Sequence, residues 1–310
     1  MIKRIMLRRI LLASITLFAI FLITLIPDKK YDQILEYKEE SADYATIYLL
    51  DSNNYLGKTT IAINNAKVED VSLELLEALI NDGVGESKIP NGFKSFISSE
   101  TKINSITFNE GLLHVDFSKE LLDIPSNLEE KVIESIVYTL TSIDKVKEVS
   151  ISIDGKILTE LPQSKVLLDE RLNKTFGINK EYEISSLKDI QKVTIYYVSK
   201  YNDKEYYVPV TKYVNDSREK VEIIIDELSS SPIYQTNLMS YLNSNTKLLA
   251  SSLIDDVLTL NFNNYIYSDI DNKKILEEVL YTISESIINN YEVSTIVYKV
   301  LDEEISVISA

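Results

Sequence analysis

Apolar and polar positions along the chain fall into two alternating patterns, and the same succession of patterns occurs twice. Ala45–Leu50 and Thr59–Asn64 alternate with the period of strands, and Val68–Asn81 then places Val71, Leu75, Leu76, Leu79 and Ile80 at helical spacing. Two further strands are predicted at Ile103–Phe108 and Leu112–Phe117. Asn109-Glu110-Gly111 lies between them, a hairpin turn in which glycine takes positive φ at no steric cost. Within the second of these strands Leu113, Val115 and Phe117 share one face, and Leu112, His114 and Asp116 share the other. After Pro125, Ser126-Asn127-Leu128-Glu129 reads as a capping box opening a helix. That helix carries Ile133, Ile136, Val137, Leu140 and Ile143 on one stripe, and Glu148–Ile153 alternates again.

The second pass begins about 148 residues later. Thr46-Ile47-Tyr48 returns as Thr194-Ile195-Tyr196, and Leu73, Leu76 and Ile80 meet Val221, Ile224 and Leu228. At an offset of 145, the run from Phe93 faces the run from Leu238, with Thr101-Lys102 on Thr246-Lys247 and Phe117 on Phe262. Tyr138-Thr139 matches Tyr281-Thr282 at 143, and Glu148-Val149-Ser150 matches Glu292-Val293-Ser294 at 144. Leu258, Leu260 and Phe262 keep the apolar strand face, while Val257, Thr259 and Asn261 vary the other. Several matches in order signify an internal duplication. The predicted domains are 45–162 and 191–310, joined by a largely polar linker at 163–190 in which Val166, Leu167, Leu168 and Leu172 suggest a short packing helix. Each unit reads as ββαββαβ, and the fold class is α+β: two tandem repeats, each a mixed sheet with two helices packed on one face.

Upstream, Ile10 to Ile26 is an unbroken weakly polar or apolar run, preceded by Arg8 and Arg9 and ended by Pro27-Asp28. Its length meets the lower bound of the ~17–25 residues that span a bilayer as a helix. Residues 1–27 are therefore expected to be a cytoplasmic basic start and transmembrane signal anchor, and 28–44 a polar stalk. The positive-inside bias places everything downstream outside the cell membrane. A cleaved signal peptide competes with this reading, but no A-x-A-like site follows Leu25.

Composition narrows the chemistry. The chain of 310 residues has 48 acidic against 32 Lys and Arg residues, a formal net charge of −16. Such a surface repels phosphate backbones, and no basic cluster offsets it, so nucleic-acid binding is not expected. With no cysteine, disulfides, thiolate metal sites and a lipidated N-terminal cysteine are excluded. Gly57-Lys58-Thr59 lacks the earlier glycine of a phosphate loop, since Ser52 stands there, and it leads into a strand; a hairpin turn is expected. Gly83-Val84-Gly85-Glu86 reads as a loop for similar reasons. Asp51-Ser52-Asn53-Asn54 and Asp269-Ile270-Asp271-Asn272 lack the glycine and distal glutamate of a calcium loop and read as solvated turns. His114 is the only histidine and lies on the variable strand face. Among the 20 tyrosines, Tyr196, Tyr197, Tyr201, Tyr206, Tyr207 and Tyr213 crowd the start of the second unit, as a binding patch or as cross-strand packing. No catalytic, cofactor-binding or metal-ligating residues are assigned, and no cofactor is expected.

Thr101-Lys102-Ile103, Asn109-Glu110-Gly111, Val115-Asp116-Phe117-Ser118 and Glu120-Leu121, followed by a helix and a strand ending Ile153-Asp154-Gly155, resemble the GerM domain. The resemblance spans both units. In the second, Asp256 stands where Gly111 does and Asn261 where Asp116 does. The family is named for a bacterial sporulation and germination protein. The resemblance implies a non-enzymatic domain, similar in shape to ring-building modules, whose partners are envelope or sporulation-channel proteins. The expected function is a membrane-anchored extracytoplasmic scaffold. The competing reading is a cell-wall ligand-binding protein or hydrolase with its site between the two units, which a cleft lined by convergent acids would distinguish.

Overall fold

The hairpin β1 (Asp43–Asp51) and β2 (Leu56–Ile63) opens the computed structural model, which describes residues 43–230 and 237–309. Helix α1 (Val68–Leu79) follows, with Glu69 and Asp70 in its first turn facing the positive end of the helix dipole. A two-residue β3 (Phe93–Lys94) leads to β4 (Ile103–Asn109), β5 (Leu112–Phe117), α2 (Ser126–Leu140), β6 (Glu148–Ile153) and β7 (Lys156–Ile157). A short β8 (Glu181–Glu183) precedes the second repeat. That repeat comprises β9 (Ile190–Tyr201), β10 (Lys204–Asn215), α3 (Lys220–Ser230), β11 (Leu248–Ile254), β12 (Val257–Phe262), α4 (Glu277–Asn290), β13 (Thr295–Val300) and β14 (Glu303–Ser309). All these elements lie in one unit, Ala42–Ala310. The apolar run Ile10 to Ile26 and the stalk up to residue 42 lie outside the described residues. Among those described, no helix is long and apolar enough to cross a membrane.

Local chemistry accounts for most elements. Between β4 and β5, Glu110 (φ 48°) and Gly111 (φ 90°) both take the left-handed conformation, which matches the twist of a two-residue hairpin. The register sets Phe108 opposite Leu113 and Ile106 opposite Val115. Leu113, Val115 and Phe117 are fully buried, as are Leu260 and Phe262, with Leu258 nearly so. Each such side chain contributes about 1.5–3 kcal/mol by leaving water. Leu112, His114 and Asp116 face outward and are half-buried.

The two repeats of α+β structure are present, but the strands are distributed otherwise than as one sheet per repeat. One four-stranded sheet has the order β4-β5-β6-β7, and a second has β11-β12-β13-β14. The remaining strands of both repeats, with β8 from the segment between them, combine in one six-stranded sheet, β3-β1-β2-β10-β8, with β9 also on β10. Helix α2 packs against β1 of the shared sheet and against β6 of the four-stranded one. The reason lies in α2 itself. From Val132 to Leu140 every residue is buried, so the helix needs cover on more than one side.

Pairing also corrects the alignment of the repeats. Leu113 pairs with Val149, and its equivalent Leu258 pairs with Ile296, so Val149 matches Ile296 at an offset of 147. The Tyr48 N–H donates to Thr139 Oγ1 at 3.0 Å, as the Tyr196 N–H donates to Ser286 Oγ at 2.9 Å, again an offset of 147. The matches at 143 and 144 are therefore coincidental. The first is one helical turn out, a shift that leaves the buried stripe on the same face and is invisible to periodicity. In α1, Leu73 is exposed whereas Val221 is buried, so that match fails as well.

Two further expectations fail. Ser126 is the first residue of α2, not its cap, and no side chain caps this helix. The Glu129 carboxylate instead accepts from the Gln163 and Ser164 N–H groups at 3.0 and 2.7 Å. The segment bearing Val166, Leu167, Leu168 and Leu172 is not helical. Leu172 exchanges both backbone hydrogen bonds with Val149 (2.7 and 2.8 Å), while Leu161, Leu168 and Leu172 are buried and Leu167 is exposed.

Candidate functional site

The acids and the histidine singled out on the first repeat do not converge. His114 Nε2 lies 3.3 Å from Ser152 Oγ on the outer sheet face. Asp116 Oδ1 accepts from the Gly155 N–H at 2.8 Å and Oδ2 from Asn104 Nδ2 at 3.1 Å, so this carboxylate pins the turn after β6. Asn261 does the same in the second repeat, accepting from the Asp302 N–H at 3.1 Å and donating to Asp302 Oδ1 at 2.8 Å. Asp154 N–H donates to Phe117 O, and Leu301 N–H to Phe262 O, which makes Leu301 the counterpart of Asp154. Among the described residues, no three His, Asp or Glu side chains converge in a way that could hold a metal ion.

The loop-like motifs resolve differently from each other. Gly57-Lys58-Thr59 lies inside β2, not in a turn. A Cβ at Gly57 would come within 2.8 Å of the Phe93 ring and 2.9 Å of the Tyr206 ring, so this glycine is required by close packing. Lys58 Nζ lies 3.1 Å from Glu285 Oε1 and 5.2 Å from the centre of the Tyr281 ring, placing it between repeats. Asp51 is fully buried, contrary to a solvated turn. Its Oδ1 accepts from the Asn53 and Tyr55 N–H groups, both at 2.8 Å, and its Oδ2 from the Tyr206 hydroxyl at 2.7 Å. Asp269 is a solvated turn residue, accepting from the Asn272 N–H and Nδ2. Gly83-Val84-Gly85 is a loop, and Glu86 opens a single 3-10 turn, Glu86–Lys88.

What the fold brings together is the joint between the repeats. The tyrosine-rich hairpin supplies much of it: Tyr196, Tyr197 and Tyr206 are buried, which favours packing over an exposed patch for these three. The Tyr196 hydroxyl lies 3.2 Å from that of Tyr48, and Tyr207 stacks on Tyr281 with ring centres 3.8 Å apart. Burial raises the Tyr48 phenol to about 12. These phenols remain neutral hydrogen-bonding groups.

The second part of the joint comes from residues 163–190. Thr211 N–H donates to Ile178 O and Ile178 N–H to Thr211 Oγ1, so the segment runs along the edge of β10 that β2 meets at Tyr207. Asn179 sits between the two hairpins in the left-handed region (φ 48°). Its Oδ1 accepts from the Leu56 N–H at 2.9 Å, and its Nδ2 donates to Leu56 O at 2.9 Å and Pro209 O at 2.8 Å. One side-chain amide thereby stands in for ladder hydrogen bonds between the repeats. The Asn179 N–H donates to Glu134 Oε2 at 2.8 Å, and Lys180 Nζ reaches Glu130 at 2.5 Å and Glu134 at 3.7 Å. Burial pushes the Glu134 carboxyl up to about 7, against the opposing pull of Lys180 and Lys131. Sequence reading passed over Asn179, Lys180 and Glu134. The only local hint was Phe176-Gly177-Ile178, an apolar pair about a glycine within a polar stretch.

Fold and joint together define a tandem-repeat α+β protein whose two repeats are fused through a shared sheet. A family model described as "Germane: Sporulation and spore germination" matches residues 46–159 and 194–294. The chain belongs to this family. It is 30% identical over 259 residues to the spore germination protein GerM of Bacillus subtilis strain 168, covering 82% of this chain and 70% of that one. It superposes on the solved tandem GerMN domains of the B. subtilis sporulation protein GerM with a TM-score of 0.76 at 28% identity. That match covers 84% of this chain and 92% of the other. Neither relative carries the name of an enzyme. The homology supports a role related to sporulation.

Proposed function

We propose that the protein is a membrane-anchored, extracytoplasmic scaffold that binds partner proteins during sporulation or germination. The observation that carries this reading is the filled joint. A receptor or hydrolase with its site between two lobes needs an open cleft there. Here Tyr48, Tyr196, Asn179 and the Lys58–Glu285 pair occupy that place, with Tyr48, Tyr196 and Asn179 buried and hydrogen-bonded. Fusion through one sheet holds the two outward faces of the repeats in a set relation, as a scaffold presenting two surfaces requires. The N-terminal basic residues and apolar run supply the anchor in this reading. Its test is made in sporulating cells. Protease added to wall-stripped cells degrades a C-terminal tag, and deleting either repeat abolishes partner capture in a membrane pull-down. Asp116→Asn leaves cellular function intact. A folded, membrane-borne Asp116→Asn protein that keeps its partners and loses all activity overturns the scaffold reading, and a fully protected tag overturns its topology.

A further inference from the structure

The lysines of the joint have partners, with one exception. Lys58 pairs with Glu285, and Lys131 Nζ donates to Asn179 Oδ1 at 3.1 Å. Lys180 pairs with Glu130, Lys192 donates to Thr175 O, and Lys212 pairs with Glu227 at 2.8 Å. Lys174 is the exception. It opens a single 3-10 turn, Lys174–Phe176, and the Tyr138 hydroxyl donates to its carbonyl at 3.0 Å. Lys174 is half-buried, yet among the described residues its Nζ has neither a hydrogen bond nor an ion pair. Burial and the nearby Lys58 ammonium hold Lys174 below the ordinary lysine value, while Glu285 pulls it up. Hydrogen bonds fix the surroundings. The Tyr138 hydroxyl also lies 3.5 Å from Asn289 Oδ1, and Asn289 Nδ2 lies 3.5 Å from the Tyr196 hydroxyl. Lys58 Nζ stands 5.9 Å from the centre of that tyrosine's ring.

Two ammonium groups and one carboxylate therefore share one place in the joint, leaving a surplus positive charge in a chain whose formal net charge is −16. A half-buried ammonium without a counter-ion carries a desolvation cost, which an incoming oxyanion offsets. We infer that Lys58 and Lys174 together bind one carboxylate from an acidic segment of a partner protein. The single charge of a carboxylate matches the single surplus charge of the site. A phosphate dianion exceeds it and meets Glu285. Beside Lys58 the stacked rings of Tyr207 and Tyr281 give the methylene groups of a glutamate an apolar wall. Lys58 belongs to the first repeat, Lys174 to the segment between, and Tyr281 to the second repeat, so one bound side chain touches all three. The inference rests on the partner-binding reading above and gives the chemistry of one contact within it.

The test is a titration of full-length protein in detergent with a short oligoglutamate peptide. Oligoglutamine and inorganic phosphate are titrated in parallel at matched ionic strength. Labelling of each lysine by an amine-reactive ester, read by mass spectrometry, reports which amines the ligand protects. Oligoglutamate is expected to protect Lys58 and Lys174 and to leave the exposed Lys247 unchanged. Lys174→Met should weaken the binding read at Lys58 by roughly tenfold, the effect of losing one charge-assisted hydrogen bond. This variant removes an ammonium that has no partner in the fold, so the fold is kept. Glu285→Gln should instead tighten binding, because Lys58 loses the carboxylate that competes for it. Equal labelling with and without the peptide, protection by phosphate alone, or variants that bind as the parent does would overturn the inference. The titration needs no partner protein, so it can fail while partner capture stands, and capture can fail while the peptide binds.

Discussion

The phenol oxygens of Tyr48 and Tyr196 lie 3.2 Å apart, and the two residues hold the same place in the two repeats, 148 positions apart. Each backbone N–H donates to a hydroxyl on the second helix of its own repeat, Thr139 or Ser286. The joint is thus built around a local two-fold relation. Asn179 departs from that symmetry: it comes from the segment between the repeats and serves both hairpins at once.

Removing the Asn179 side chain should therefore be costly. Asn179→Ala leaves Leu56 N–H, Leu56 O and Pro209 O without this partner in a buried place. The expected loss is roughly 2–4 kcal/mol, since orphaned buried groups cost about 1–3 kcal/mol each and partial relaxation recovers some of that. Urea unfolding of the purified protein checks it; a change below about 1 kcal/mol would remove the clamp role.

The two faces of β5 should respond oppositely. Phe117→Ala should cost about 3–5 kcal/mol through lost burial and a cavity, and Phe262→Ala a similar amount. His114→Ala, on the outer face, should stay within about 0.5 kcal/mol of the parent. Thermal unfolding of the three variants gives the comparison.

Stability should depend on pH through Glu134. Its folded pKa, about 7, stands above the 4.5 of an ordinary glutamate, so between these pH values the folded chain holds a proton that the unfolded chain has lost. Its contribution is full below pH ~4.5, declines as pH rises through about 7 and is level above, for a total of roughly 3 kcal/mol by linkage. Glu134→Gln should flatten that slope. Unfolding free energies at pH 5, 6, 7 and 8 test it, and a parent whose slope matches the variant would dispose of the assignment.

Asp116→Asn should be nearly silent in stability, within about 1 kcal/mol, because the amide oxygen can accept from the Gly155 N–H as Asn261 accepts from Asp302. Asp116→Ala, which removes the acceptor, should cost more, and melting temperatures of the pair distinguish the two.

Alternation and helical stripes were legible along the chain because each is set within a few residues of itself. The buried triplets Leu113, Val115, Phe117 and Leu258, Leu260, Phe262, the Glu110-Gly111 turn, the two repeats and the family all followed from such local signals. What local periodicity leaves open is which element covers which. A helix shifted by one turn keeps its face, so periodicity alone misaligns the repeats over α4 and β13, and strand pairing sets the offset at 147. Glu129 carries the residue type of a capping box, yet its carboxylate binds two amides more than thirty positions away. The meeting of β2 with β10, the burial of Asp51 under Tyr206 and the use of Asn179 as a clamp depend on backbone groups far apart in sequence. Only the folded chain brings those groups within hydrogen-bond range, and so only the tertiary structure decided that two repeats make one body.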